Sequence, residues 1–300
     1  MKDLIREIRD DPTSGASQLT LKALEAMKKA VELSKARDPE GLYQGLVEVG
    51  KALVLAQPSI ASIFNLVNSF ILRAEKGLKM KRDELRELMR RDGEKIEQEL
   101  IRAQTMINLK GRKLLQEKNT VLTYSYSATV RDILLGRKGL RVILSEGRPE
   151  GEGRLLAKDL GGKGIRCSLM VDAALASFLP EVDLVLVGAD RVSEGTFVNK
   201  IGTKGLAVQA KELGVLFYAA ATTYKFLPSQ ILPFQPQLRD PAQISPPLQN
   251  VEVVNILFEE VPLAYLSGVI TEEGVLSPEQ ISQRVKGIKI SPAMATFQMT

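Results

Sequence analysis

The chain reads as an α/β protein, with a helical N-terminal domain over residues 1–118 followed by a parallel-sheet domain over 119–300. Three observations carry that reading. Up to about residue 118, apolar residues recur at helical spacing and no strand-like run interrupts them. From Asn119 onward, short apolar runs alternate with helical stretches, which is the pattern of strands covered on both faces. The stretch Leu184–Thr203, LVLVGADRVSEGTFVNKIGT, runs from a continuous apolar strand into a polar segment and then a helix.

Composition bounds the chemistry. The 300 residues are 44% hydrophobic and 26% charged, as in globular proteins, with no apolar run long enough to span a membrane. The start, MKDLIREIRDD, has no signal-peptide apolar core, and Cys167 is the single cysteine, so a cytoplasmic address is expected. There is no histidine, which excludes a Ser-His-Asp triad, a Cys-His pair and any histidine-bound metal. No metal and no cofactor are expected. The net charge of +5 favours anionic ligands. The basic residues are mixed with acids and aromatic residues make up only 5%, so nucleic acid is an unlikely partner.

In the N-terminal part, Ser17 or Ser14 is read as the cap of a first amphipathic helix carrying Leu24, Met27 and Val31. Gly15 leaves room there for a close ligand or a close helix. Asp38-Pro39 ends that region, a second helix covers about 41–55, and Gln57-Pro58 breaks it. Residues Ser59–Leu72 form a strongly apolar third helix, so Asn65 and Asn68 need buried partners. Residues 80–117 suit one long helix with a solvated charged face, which Gly93 bends or divides.

In the C-terminal part, Val121–Tyr124, Val142–Ser145, Ser168–Val171, Leu184–Val187 and Leu216–Ala219 are strand candidates. Thr129–Leu135, Arg154–Leu160, Ala173–Phe178 and Gly205–Leu213 suit the intervening helices. Residues 228–247 hold six prolines and exclude regular structure. A last strand is expected near Val251–Leu257, and the tail carries a loop at Glu272-Glu273-Gly274 and a short helix from near Ser277-Pro278.

Ligands of parallel sheets sit beyond the carboxyl ends of the strands. Those ends present Ser125 and Ser127, then Glu146 and Arg148, then Asp172, then Asp190 with Asn199 and Lys200 in a polar loop, and finally Lys225. A helix start with Thr203 as N-cap and Lys200 beside it is a ready anion site. Plainer readings stand beside these. Asp190 and Lys200 also read as a surface pair, Glu146 with Arg148 as an internal pair, Ser125 or Ser127 as a helix cap, and Asp172 as the cap of the helix from Ala173. GxGxxG fails after Gly153 and no P-loop is present, so a bound phosphate would need another arrangement.

The blocks VLTYSYS, SEGRPEGEGR, LMVDAA, GADRVSEGTFVNKIGT and TTYKF together resemble the initiation factor 2B alpha/beta/delta and sugar-phosphate isomerase superfamily. SGA at 14–16, QPSIASIFNLVN at 57–68 and VPLAYLSGVITEEGVLSP at 261–278 extend the resemblance over nearly the whole chain. It implies a helical domain, a Rossmann-like domain holding the ligand pocket, and dimers or higher oligomers formed through the latter. The superfamily's isomerases convert methylthioribose-1-phosphate or ribose-1,5-bisphosphate between aldose and ketose, using a cysteine and the aspartate of GAD. Its initiation-factor branch lacks the cysteine, regulates nucleotide exchange on a translation factor, and in some members binds sugar phosphates or nucleotides.

The resemblance assigns Asp190, and Ser125 in the cysteine's place, as the catalytic pair of an isomerase. Taken with the reading of the strand ends and of Gly15, the ligand and phosphate site comprises Ser14, Gly15, Ser125, Ser127, Arg148, Asn199, Lys200 and Lys225. The phosphate-binding arginines of the superfamily fall on Ser14 and Gln57. A serine hydroxyl is a far weaker acid than a thiol and needs an adjacent base. The resemblance therefore implies a regulatory protein that binds a phosphorylated sugar or nucleotide, with a translation factor as its protein partner. An isomerase using Asp190 is the alternative.

Overall fold

The computed structural model describes residues 1–11, 15–236 and 238–295. Ser14 lies outside the described residues. The chain forms two compact units. The first comprises residues up to Ala103 with Tyr224–Pro233 and the segment from Val285; the second comprises Gln104–Thr223 and Phe234–Arg284.

Helices build the first unit. They are α1 (Lys2–Arg9), α2 (Ala16–Leu33), α3 (Pro39–Ala56), α4 (Ala61–Lys76) and the first part of α5 (Arg82–Leu114). Gly15, not a serine, is the N-cap of α2, and a Cβ on it would meet nothing within 4 Å. Asp38 does not merely end α2's region. Its carboxylate accepts the Gly41 N–H at 2.7 Å and so starts α3, with Pro39 in the first turn where its missing N–H costs nothing. A Cβ on Gly50 would lie 2.4 Å from Val67 Cγ1, so α3 and α4 cross in contact at that glycine.

The apolar helix α4 buries Ile63, Phe64, Val67, Phe70 and Ile71 completely. Its two asparagines find the partners they need. Asn65 Nδ2 donates to the carbonyls of Tyr224 (2.7 Å) and Phe226 (2.6 Å), while Asn68 binds the Lys289 carbonyl and the Ser291 N–H, both at 2.8 Å. Helix α5 runs through Gly93 without dividing there, and a Cβ on that glycine would lie 2.9 Å from Lys28 Cγ, so the Lys28 side chain packs against it.

A seven-stranded sheet forms the spine of the second unit. In chain order come β1 (Thr120–Thr123), α6 (Ala128–Leu135), β2 (Arg141–Ser145), α7 (Glu152–Gly161), β3 (Arg166–Met170), a 3-10 segment (Asp172–Glu181) and β4 (Leu184–Gly188). After these come β5 (Arg191–Val192), β6 (Thr196–Lys200), α8 (Thr203–Glu212), β7 (Leu216–Ala220), β8 (Phe258–Pro262), β9 (Gly268–Ile270) and β10 (Val275–Leu276), then most of α9 (Pro278–Lys286), whereas α10 (Pro292–Ala295) belongs to the first unit. The sheet order is β10-β9-β7-β4-β1-β2-β3, parallel throughout except for β10. β1 pairs with β4 in the middle, Val121 opposite Leu184. The chain winds from β1 toward β3 on one side and from β4 toward β10 on the other. The β1/β4 boundary is thus the switch point, the place beyond the carboxyl ends where open parallel sheets take their ligands.

Two expectations change. Asn199 and Lys200 lie not in a loop but in β6, the middle strand of an antiparallel sheet β5-β6-β8. The strand expected at Val251–Leu257 forms at Phe258–Pro262, because β6 pairs there, Lys200 opposite Phe258. Asn255 instead ties the proline-rich loop, donating to the Asp240 carbonyl and Gln243 Oε1, both at 2.8 Å. Among the described residues no helix is long and apolar enough to cross a membrane.

Candidate functional site

The site is built at the β1/β4 switch point of the second unit. Leaving β1, the chain enters the left-handed region at Ser125 (φ 68°), a conformation uncommon for a residue with a Cβ. That bend lets Ser127 cap α6, its hydroxyl accepting from Val130 N at 3.4 Å. Gly188, at the end of β4, makes the close approach possible, since a Cβ there would lie 2.7 Å from that of Ser127. Of the two serines offered as caps, Ser127 takes that role. Ser125 donates its hydroxyl to Glu152 Oε1 at 2.7 Å.

Glu152 begins α7, at the end of the loop that follows β2. Gly147 and Gly151 both have positive φ, so the loop turns twice before the helix. Asp172 does not cap the segment after β3. Its carboxylate accepts the N–H groups of Gly147 (2.8 Å) and Arg148 (2.7 Å) and fixes that loop. Glu146 pairs with Arg154 and not with Arg148, whose guanidinium meets the Gln243 carbonyl at 3.5 Å.

Lys200 is the centre of the arrangement. Its side chain is only 1% exposed, and Nζ lies 2.9 Å from Glu152 Oε1 and 3.1 Å from Glu150 Oε2. A buried ammonium needs such partners. It is not in a surface pair with Asp190, whose backbone N–H bonds the Val198 carbonyl at 2.9 Å. Asn199 turns away from the pair and donates to Thr203 Oγ1 at 3.0 Å, and Thr203 donates to the Lys200 carbonyl at 2.5 Å.

The start of α8 is likewise occupied. Gly202, not Thr203, is its N-cap, and Glu259 of β8 accepts the N–H groups of Gly202 (2.7 Å) and Lys204 (3.0 Å). Tyr124 donates its hydroxyl to the Ile201 carbonyl at 2.7 Å and lies under Gly202. Burial, and then the charges of Asp172, Glu152 and Glu259, push its phenol up, so it stays a donor. Arg191 is also buried, and desolvation draws its guanidinium down despite Glu260 and Glu194.

Ser125 and Lys200 therefore meet through Glu152, with Ser127, Arg148, Asn199 and Asp190 on the same sheet edge or the small sheet beside it. Gly15 and Lys225 belong to the first unit, where Lys225 lies in a short 3-10 turn and is buried. The sequence reading missed Glu150, Glu152 and Glu259. The available signal was the acid–glycine alternation in PEGEGR, since a carboxylate at a helix start reads first as a cap.

The profile of the family described as Initiation factor 2 subunit family matches residues 12–278. The chain is 33% identical over 281 residues to a translation initiation factor eIF-2B subunit 2-like protein of Pyrococcus horikoshii, covering 92% of this chain and 96% of that one. It is 31% identical over 290 residues to a ribose 1,5-bisphosphate isomerase of Methanocaldococcus jannaschii, covering 93% and 92%. Among solved structures it resembles the 5-methylthioribose 1-phosphate isomerase of Pyrococcus horikoshii with a TM-score of 0.75, at 26% identity, covering 95% of this chain and 86% of that one.

Proposed function

Since the chain belongs to the initiation factor 2 subunit family, we propose that it is a regulatory protein of the initiation factor 2B alpha/beta/delta type. In this reading it binds a sugar phosphate or nucleotide at the switch point of its second unit and does not isomerise it. It works in the cytoplasm as a homo-oligomer, with a translation factor as its protein partner.

One observation carries the reading. Where the resemblance puts the isomerase cysteine, the chain has Ser125, and its hydroxyl is committed to Glu152. An isomerase moves a proton between adjacent carbons, and a thiol suits that exchange near neutral pH. The Ser125 hydroxyl already donates to a carboxylate that also neutralises Lys200. The roles left to this site are recognition roles: Lys200 holds an anionic oxygen, and Ser127, Arg148 and Asn199 lie on the elements around it.

The test pairs turnover with binding. Ribose 1,5-bisphosphate and methylthioribose-1-phosphate are followed by NMR for conversion and by thermal shift for binding, nucleoside monophosphates by thermal shift alone. The expected result is a raised melting temperature with at least one compound and no conversion of either sugar phosphate. Conversion that Asp190→Asn abolishes would instead establish the second reading, an aldose–ketose isomerase with Asp190 as proton carrier.

A further inference from the structure

We propose that Glu150 is a built-in competitor for the anion position on Lys200, so that it sets how tightly, and for which anions, the pocket binds. The inference rests on the ligand-binding reading above and deepens it. Two carboxylates face one ammonium, and they are not equivalent. Glu152 is held at one oxygen by two groups: its Oε1 accepts from Ser125 at 2.7 Å and lies 2.9 Å from Lys200 Nζ, its Oε2 is buried, and its side chain is 20% exposed. A Cβ on Gly147 would come within 3.1 Å of its carboxylate oxygens, so the backbone of the loop closes over it as well. Glu150 lies in the loop before α7 with 40% of its side chain exposed, and among the described residues its carboxylate meets Lys200 alone.

Charge and exposure then separate the roles. Lys200 and Glu152 balance as one cation and one anion, which keeps the buried ammonium paired whatever Glu150 does. Glu150 is the surplus charge. Its oxygen, 3.1 Å from Lys200 Nζ, stands where the oxygen of a ligand's phosphate or carboxylate would stand. A half-exposed glutamate loses little by turning into water. An incoming anion must displace it or bind beside it, and binding beside it costs like-charge repulsion. The device favours multiply charged phosphate esters, which gain more from Lys200 than a monoanion does and so outcompete the resident carboxylate.

The test uses the full chain at fixed ionic strength. Inorganic phosphate and ribose 1,5-bisphosphate are titrated calorimetrically into wild type, Glu150→Gln and Glu181→Gln. The amide introduced by Glu150→Gln keeps an oxygen for Lys200 without the charge. Glu181 is exposed, pairs with Arg141 at 3.5 Å and supplies the same change in net charge elsewhere. The expected result is about tenfold tighter binding to Glu150→Gln, with Glu181→Gln like wild type. Equal affinities for wild type and Glu150→Gln would overturn the competitor while leaving the ligand-binding reading intact. Equal tightening in both variants would overturn it in favour of overall charge. Binding by none of the three proteins would remove the competitor and the phosphate-binding reading together.

Discussion

Tyr124 ties the end of β1 to the chain that carries Lys200. Its hydroxyl donates to the Ile201 carbonyl, and Gly202, at φ 99°, passes close over the ring. A buried neutral hydrogen bond of this kind contributes about 1 kcal/mol. Its pH dependence has a definite sign. The phenol's ordinary value is 10.0, and burial raises it in the native chain. The native tyrosine thus stays protonated where the unfolded one ionises. Its contribution is fully present below about pH 10 and is lost as the pH climbs above that value. Tyr124→Phe is expected to lower stability by about 1 kcal/mol at neutral pH. It should also flatten the alkaline arm, so that melting temperatures of the two proteins converge above about pH 10. Parallel melting curves up to pH 11 or so would show that this phenol does not govern the alkaline limb.

Strands buried on both faces were legible, because a parallel strand between helices must be apolar at every position. β4 is the clearest case, with all five of its residues buried. β6 was not legible. Thr196–Lys200 ends in Asn199 and Lys200, two polar residues that read as loop, yet both are buried and the strand pairs with β8, some 60 residues further on. Nothing local marks a strand whose polar side chains are satisfied by Thr203, Glu150 and Glu152. The same distant pairing brings Glu259 to the start of α8, where it takes two N–H groups that the sequence left open for a ligand. A carboxylate on a helix N-terminus stabilises by about 1 kcal/mol, part from the hydrogen bonds and part from charge. Glu259→Ala should therefore lower the urea midpoint by the equivalent of about 1 kcal/mol, and Glu259→Gln by less, since the amide oxygen still accepts. Equal losses would mean that charge alone matters there.

The sequence order of the chain and its division into units do not coincide. Tyr224–Pro233 and the segment from Val285 count with the first unit, although they follow strands of the second. Asn65 and Asn68 give the physical reason. Both sit in the apolar helix α4, and their amides are satisfied by backbone groups at 224, 226, 289 and 291. The sequence showed that these asparagines needed partners but not where the partners were, since a backbone carbonyl has no sequence signature. Leu227, Leu232 and Met294 join the same core as Phe64 and Phe70, so the late segments are also held by apolar burial. Each unit has its own core, and this allows an unfolding experiment that addresses one of them. Asn68→Ala removes two buried hydrogen bonds and leaves the Lys289 carbonyl and the Ser291 N–H without that partner, at a cost of about 2–4 kcal/mol. Hydrogen exchange should then quicken in α3 and α4 by roughly thirty- to a thousand-fold, following from that cost where exchange needs the unit to open. Amides of the central strands, Val185 to Val187 above all, should exchange as in wild type. A uniform acceleration through both units would show instead that they open in a single cooperative step, and that the contacts of α4 support the sheet as much as the helices.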